Sequence, residues 1–163
     1  MKKGEFMENL IIEKATEENL DNILLFLANQ YFDLFWQLNK NVLYAEFYDI
    51  YRNTIVESYM EEYHKKKGNV YFASIDNTIV GAGYIDSNNY LDSLFVLEEY
   101  HNYGIGSKLL ERIIREVSAA KVIRVDANIK AVSLYKKFHF IEADGPRNAA
   151  FIPMELERNH YGQ

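Results

Sequence analysis

Two glycines, Gly104 and Gly106, stand where a β-rich run gives way to a helical one, within His101-Asn102-Tyr103-Gly104-Ile105-Gly106-Ser107-Lys108. Glycine adopts positive φ freely, so the main chain can curl there until successive N–H groups converge on one point. A helix opening directly after the loop adds unpaired N–H donors and a partial positive charge. A diphosphate is the ligand that such a corner suits. A plain strand-turn-helix corner relieved by glycine has the same pattern, and Gly-x-Gly alone does not separate the two. Two rival phosphate patterns fit less well. A dinucleotide fingerprint asks for a third glycine where Leu109 stands, although Asp126 lies near the distance of a ribose-binding acid. A P-loop asks for Gly-Lys-Ser/Thr at a spacing the chain does not show.

The surrounding periodicities say what must hold this loop. Leu10 to Ala15 is a short β-branched run. Thr16 stands at an N-cap position, with Asn19 three residues on and Leu20, Ile23, Leu24 and Leu27 at helical spacing. A second helix is expected from Val42 to Lys66, ended by Lys65-Lys66-Lys67-Gly68. Asn69–Ile75 and Thr78–Ile85 read as strands joined by a hairpin turn at Asp76-Asn77, and Tyr90–Leu97 completes an antiparallel meander. That meander fits poorly with a dinucleotide-binding βαβαβ fold. From Gly104 the period changes, with Leu109, Leu110, Ile113, Ile114 and Val117 on one helical face. Lys121–Asp126 reads as a strand, Ile129–Lys137 as a helix, and Phe140–Ala143 and Phe151–Leu156 as strands. The order β-α-α-β-β-β-α-β-α-β-β describes an α/β domain. Its mixed central sheet has an antiparallel front half, passes into a β-α-β unit, and is flanked by helices.

Composition narrows the classes. The 163 residues suit one domain, read as 7–158, with Met7 taken as the natural start and 1–6 as an added or flexible segment. A hydrophobic share of 48% with 26% charged residues is that of a globular core former. A net charge of -6 argues against nucleic acid as partner. No apolar run approaches the ~20 residues of a membrane span, and no apolar stretch follows the first residues as in a secretory signal. Cysteine is absent, which excludes disulfides and thiol nucleophiles and is compatible with a cytoplasmic place.

The His101-x-x-Gly104-x-Gly106 loop resembles the pyrophosphate signature of the GNAT superfamily of acetyl-CoA-dependent N-acetyltransferases, with His101 where Arg or Gln is usual. A second block, Asp126-Ala127-Asn128-Ile129-Lys130-Ala131-Val132-Ser133-Leu134-Tyr135-Lys136-Lys137-Phe138-His139-Phe140, resembles the family's Asn-x-x-Ala-x-x-x-Tyr-x-x-x-Gly-Phe segment. His139 replaces its glycine and is read as a turn position with a less strained backbone. The agreement in element order runs from about residue 10 to 157 and implies the acyl-CoA N-acyltransferase-like fold.

The resemblance implies acetyl-CoA as cosubstrate, no metal, and an amine acceptor, either a small molecule or a peptide. The amine would attack directly in a ternary complex. The strand Leu94-Phe95-Val96 would hold the pantetheine arm and steady the oxyanion of the tetrahedral intermediate through backbone N–H groups. His101, Asn102, Tyr103, Gly104, Ile105, Gly106 and Ser107 would cradle the diphosphate, with Lys108 and Arg112 in reach of phosphate oxygens. Asn128 is read as a helix N-cap or as a cofactor contact. Tyr135 is the implied general acid, since a phenol of pKa near ~10 is protonated at neutral pH and can serve the departing thiolate. Asp92 is the implied base, with Asp86, Glu98 and Asp33 as outsiders. His64 and His160 are read as incidental. The ring-rich stretch Tyr31-Phe32-Asp33-Leu34-Phe35-Trp36, with Tyr44, Phe47, Tyr48 and Tyr51, falls at the family's variable acceptor wall, where rings and acids suit an amine cation. A homodimer is the commonest assembly for such small enzymes. A non-catalytic acyl-CoA sensor of the same fold and a nucleotide-binding enzyme of Rossmann type are the alternatives.

Overall fold

Gly68 marks the point where a long helix is turned into the middle of a sheet. In the computed structural model, which describes residues 4–5 and 7–158, helix α2 (Tyr44–Lys66) ends with Lys67 at φ 54 and Gly68 at φ 131. A Cβ on Gly68 would stand 2.1 Å from the Ile85 carbonyl oxygen, so only glycine lets strand β2 (Gly68–Ile75) begin against its neighbour. The last helical carbonyls find side-chain donors: the Tyr84 hydroxyl donates to Lys67 O at 2.6 Å and the Ser87 hydroxyl to Lys66 O at 2.7 Å. His160 and most of the segment 1–6 lie outside the described residues.

The remaining elements are β1 (Leu10–Lys14), α1 (Leu20–Leu38), β3 (Thr78–Asp86), β4 (Tyr90–Val96), α3 (Ile105–Glu116), β5 (Val122–Asn128), α4 (Val132–Lys137), β6 (Ile141–Glu142) and β7 (Phe151–Glu157). The element order is the expected one. Three of the differences from the expected boundaries have clear local reasons. Regular helix starts at Leu20 and not at Thr16, because Thr16 opens a preceding turn: its carbonyl accepts from Leu20 N–H at 2.9 Å and its own N–H donates to Asn19 Oδ1 at 2.7 Å. The expected helix 129–137 divides into a 3₁₀ turn at Ile129–Ala131, capped by the Asn128 side chain, and the six-residue α4. The strand expected at 140–143 shrinks to the two residues of β6.

The sheet runs β1-β2-β3-β4-β5-β7-β6. All neighbours pair antiparallel except β4 and β5, which are parallel. This order is not that of a dinucleotide-binding fold, which removes the Rossmann alternative. The turn at Asp76 (φ 49) and Asn77 (φ 64) is the left-handed pair that a two-residue hairpin needs. Between β3 and β4 the register slips: Tyr84 faces Ser93 while Ile85 faces Leu91, leaving Asp92 as an extra, bulged residue.

The sheet buries both faces of its centre. On one side α3 and α4 cover Tyr71, Ala73, Val80, Leu91, Ile123, Val125 and Ala127 with Leu109, Leu110, Ile113, Tyr135 and Phe140. On the other, α1 and α2 cover Val70, Phe72, Ala82 and Tyr84 with Ile23, Leu24, Leu27, Tyr59 and Tyr63. Each fully buried aliphatic or aromatic side chain stabilises by about 1.5–3 kcal/mol, so these two layers dominate folding. Arg158 closes the molecule, its guanidinium donating to Val117 O at 2.9 Å and to Ile114 O at the end of α3. No described helix is long and apolar enough to cross a membrane.

Candidate active site

The site begins where two strands part. β4 and β5 pair only at Tyr90↔Arg124 and Leu91↔Val125, while the other edge of β5 pairs with β7 along its whole length; past Leu91 the strands diverge and one edge of β4 is left unpaired. Peptide directions alternate along a strand. Leu97 N–H donates to Val80 O on β3, so Phe95 and Ser93 also face β3, and the N–H and C=O groups of Leu94 and Val96 face the gap. One of these is already taken: Val96 O lies 2.7 Å from His101 Nε2. The His101 ring thus fastens the start of the loop to the end of the strand, a role the sequence did not disclose. The side chains of Leu94 and Val96 pack on the α3 side of the core, as simple core residues.

The loop between β4 and α3 curls tightly. Asn102 (φ 67) and Gly104 (φ 82) both take left-handed conformations, and a Cβ on Gly104 would meet nothing within 4 Å. Tyr100 and His101 N–H groups close a 3₁₀ turn on Leu97 O and Glu98 O, and Lys108 N–H donates to Gly104 O as α3 begins. The N–H groups of Asn102, Gly104, Ile105, Gly106 and Ser107 have no acceptor among the described residues. They sit at the positive end of a twelve-residue helix, which is the donor set a diphosphate needs.

A cleft of about 770 Å³ joins the open strand edge to this loop. Leu94, Phe95 and Val96 line it, as do His101, Asn102, Gly104, Ile105, Gly106, Ser107, Asn128 and Tyr135. Tyr103 packs against the core instead, and Lys108 is exposed outside the lining. Arg112 is not available for phosphate: its Nε is 2.7 Å from Glu116 Oε1 and its guanidinium donates to Ile12 O at 3.1 Å, on the far side of α3. Lys130 also lines the cleft, and its position two residues after Asn128 in the second block is the one mark of it in the sequence. Asn128 Oδ1 accepts from Lys130 N–H at 2.9 Å, so the N-cap reading holds while the residue also faces the cleft.

Tyr135 enters the cleft from α4, only 4% exposed and edge-on to Phe140 at 5.4 Å. Burial pushes its phenol well above the usual tyrosine range. Its hydroxyl makes no hydrogen bond among the described residues. His139, after α4, has φ 68. The expectation of a less strained turn there is overturned: this is a left-handed position, where glycine is the unstrained choice.

The fourth wall of the cleft is α1, through Gln30, Asp33, Leu34 and Gln37. The rings named with it mostly do other work. Trp36 meets Tyr44 edge-on at 4.9 Å, Phe32 meets Tyr48 at 5.7 Å, and Phe32 meets Phe47 at 5.3 Å, so they knit α1 to α2 and do not line the cleft. Asp33 does line it, its carboxyl raised by burial against a hydrogen bond from Tyr44. Glu98 lines it as well.

Asp92 stands apart from that lining. Together with Lys66, Asp86, Asn88, Tyr90 and Arg124 it bounds a second cavity of about 420 Å³ around the point where β4 and β5 last pair. Asp86 is 7% exposed and accepts the N–H groups of Asn88 and Tyr90 at 2.8 and 3.1 Å, which makes it a turn-former. Asp126 accepts from the Tyr90 hydroxyl at 2.5 Å, tying β5 to β4 across the fork. Burial raises the Asp92 carboxyl above the usual carboxylate range, opposed by a hydrogen bond from Ser93 and by the charge of Lys66. No group of three or more His, Asp or Glu placed to hold a metal occurs among the described residues.

No curated protein matches the chain by sequence. An N-acetyltransferase from Staphylococcus aureus superposes with a TM-score of 0.63 at 19% identity, over 91% of this chain and 98% of that one. The PaiA N-acetyltransferase from Thermoplasma acidophilum, solved with coenzyme A, gives 0.61 at 18% identity over 91% and 99%. YncA from Salmonella typhimurium, solved with acetyl-CoA, gives 0.64 at 14% identity over 95% and 97%. At such identities these structures share the fold. The acetyltransferase (GNAT) domain family matches residues 15–158, nearly the whole of the described chain, and this protein belongs to it.

Proposed function

We propose that this protein transfers the acetyl group of acetyl-CoA to a primary amine by direct attack, with both substrates bound together. One observation carries the reading: the unpaired edge of β4 leads straight to the unsatisfied N–H groups at the start of α3, with the Tyr135 hydroxyl on the same cleft. Acetyl-CoA supplies an activated acyl thioester. Leu94 and Val96 hold its arm by main-chain bonds, as an added strand would be held, and the Asn102–Ser107 loop holds its diphosphate. Lys130 adds a positive charge on the same wall.

The protein then has three tasks. One N–H on the open edge of β4, that of Leu94 or of Val96, donates to the carbonyl oxygen whose negative charge grows during attack, and the remaining main-chain groups of that edge hold the arm. Asp92 takes a proton from the incoming ammonium, so that nitrogen presents a lone pair to the carbonyl carbon. Tyr135 gives its proton to the sulfur as the carbon–sulfur bond breaks. Most of the acceleration comes from holding the reactants together and from the fixed N–H donors. The acceptor is a small-molecule or peptide amine, and the reaction runs in the cytoplasm, with which a cysteine-free chain is compatible. The test is a panel of diamines, amino acids, aminoglycosides and peptides assayed for release of the coenzyme A thiol. Turnover with at least one supports the reading. Tight acetyl-CoA binding with no acceptor acetylated favours a sensor of the same fold.

A further inference from the structure

Asp92 is the end of a chain of hydroxyl groups that starts in the core. The Tyr59 hydroxyl, on α2 and 8% exposed, lies 2.7 Å from Ser93 Oγ, which is 4% exposed. Ser93 Oγ donates to Asp92 Oδ2 at 3.0 Å. A serine hydroxyl has one proton, and here the carboxylate receives it. The contact with Tyr59 must therefore run with the phenol as donor. The result is a directed series, Tyr59 to Ser93 to Asp92, in which each bond polarises the next.

The slip in register between β3 and β4 makes Asp92 the extra residue and frees its side chain from the alternation of the strand. Its two oxygens are then treated differently. Oδ2 is held by Ser93, while Oδ1 stands 4.0 Å from Lys66 Nζ at the wall of the second cavity. That cavity meets β4 at residues 90 and 92, and the cleft meets it at residues 94–96, on successive stretches of one strand.

We propose that Tyr59 and Ser93 are positioning residues, a two-hydroxyl donor chain that orients Asp92 with one oxygen fixed and the other presented to an amine entering through the second cavity. This rests on the amine-acetylation reading above. The charged and titratable groups that act on Asp92 are Lys66 and Glu62 of α2 and Asp86 of β3, with Tyr31 of α1, Tyr59 of α2, Tyr84 of β3 and Tyr90 of β4 around it and Arg124 of β5 across the cavity. Donors to a carboxylate favour its charged form, so removing them moves its titration to higher pH.

The experiment compares Ser93→Ala, Tyr59→Phe and Ser93→Thr in the full chain, with folding checked by circular dichroism. The acid limb of kcat/KM should rise by about one pH unit in Ser93→Ala and by less in Tyr59→Phe, and return in Ser93→Thr, which restores the hydroxyl. The KM for acetyl-CoA should stay unchanged. Carbon-13 NMR titration of the Asp92 carboxyl in the free protein reads the same shift without turnover. An Asp92 titration that is unmoved in folded Ser93→Ala overturns the donor chain. A moved titration with no amine acetylated leaves the chain standing and sinks the acetylation reading. Turnover unaffected by Asp92→Asn removes the task the chain is meant to serve and overturns the positioning role.

Discussion

Tyr135 reaches the cleft from a helix of only six residues, and its phenol is almost fully enclosed. A buried phenol with its pKa raised stays protonated through any working pH, which is the state an acid needs. Tyr135→Phe keeps the ring packing with Phe140 and removes only the proton source. Turnover should fall about 100-fold while the dissociation constant for acetyl-CoA, measured by calorimetry, hardly changes. Unchanged turnover would dismiss the role. Asp92 works in the opposite sense, since a base must be charged. Burial raises its pKa, so activity should be full at high pH and be lost as pH falls through that value, giving an acid limb above the ~3.9 of an ordinary aspartate. A pH–rate profile of kcat/KM reads it directly, and Asp92→Asn should abolish that limb.

At the scale of elements, α4 and the loop before α3 show how backbone conformation is set by neighbours. His139 holds φ 68 because Phe140 N–H returns to Tyr135 O at 3.1 Å and His139 N–H to Lys136 O at 3.0 Å, closing α4 tightly. A left-handed non-glycine residue costs roughly 1–2 kcal/mol, and glycine gives back part of that through its freer unfolded state. His139→Gly should therefore stabilise the protein by roughly 0.5–1 kcal/mol, measured by urea unfolding, with acetyl-CoA binding intact. A destabilised variant would mean that the His139 side chain makes a contribution larger than the strain. The Gly104 loop is the converse case. There the left-handed residue is already glycine, and the space beside it is open.

For the whole molecule, the fork between β4 and β5 is what makes a site out of a sheet. Two ladder positions hold the strands together, reinforced by Tyr90 to Asp126 across the gap. Tyr90→Phe removes that tie and should cost about 1 kcal/mol, which for a chain of this size lowers Tm by about 2–4 °C. Because the tie lies at the apex of the fork, kcat should fall by more than acetyl-CoA affinity does. Equal stability together with unchanged kcat would show that the ladder alone holds the strands.

Much of this molecule was readable along the chain. The hairpin at Asp76-Asn77, the apolar face of α3, and the strand-glycine-helix corner at Gly104 depend on residue types within a few positions of one another, and local sterics and periodicity act over that range. The pairing of β7 between β5 and β6, the bulge that frees Asp92, the diversion of Arg112 to Ile12, and the choice of Gln30, Asp33 and Gln37 over the neighbouring rings as the cleft face of α1 were not readable. Each depends on partners far away in sequence, and a side chain's direction is settled by which surface its element buries against those partners. Distant packing chooses among faces and registers that local chemistry leaves nearly equal in energy.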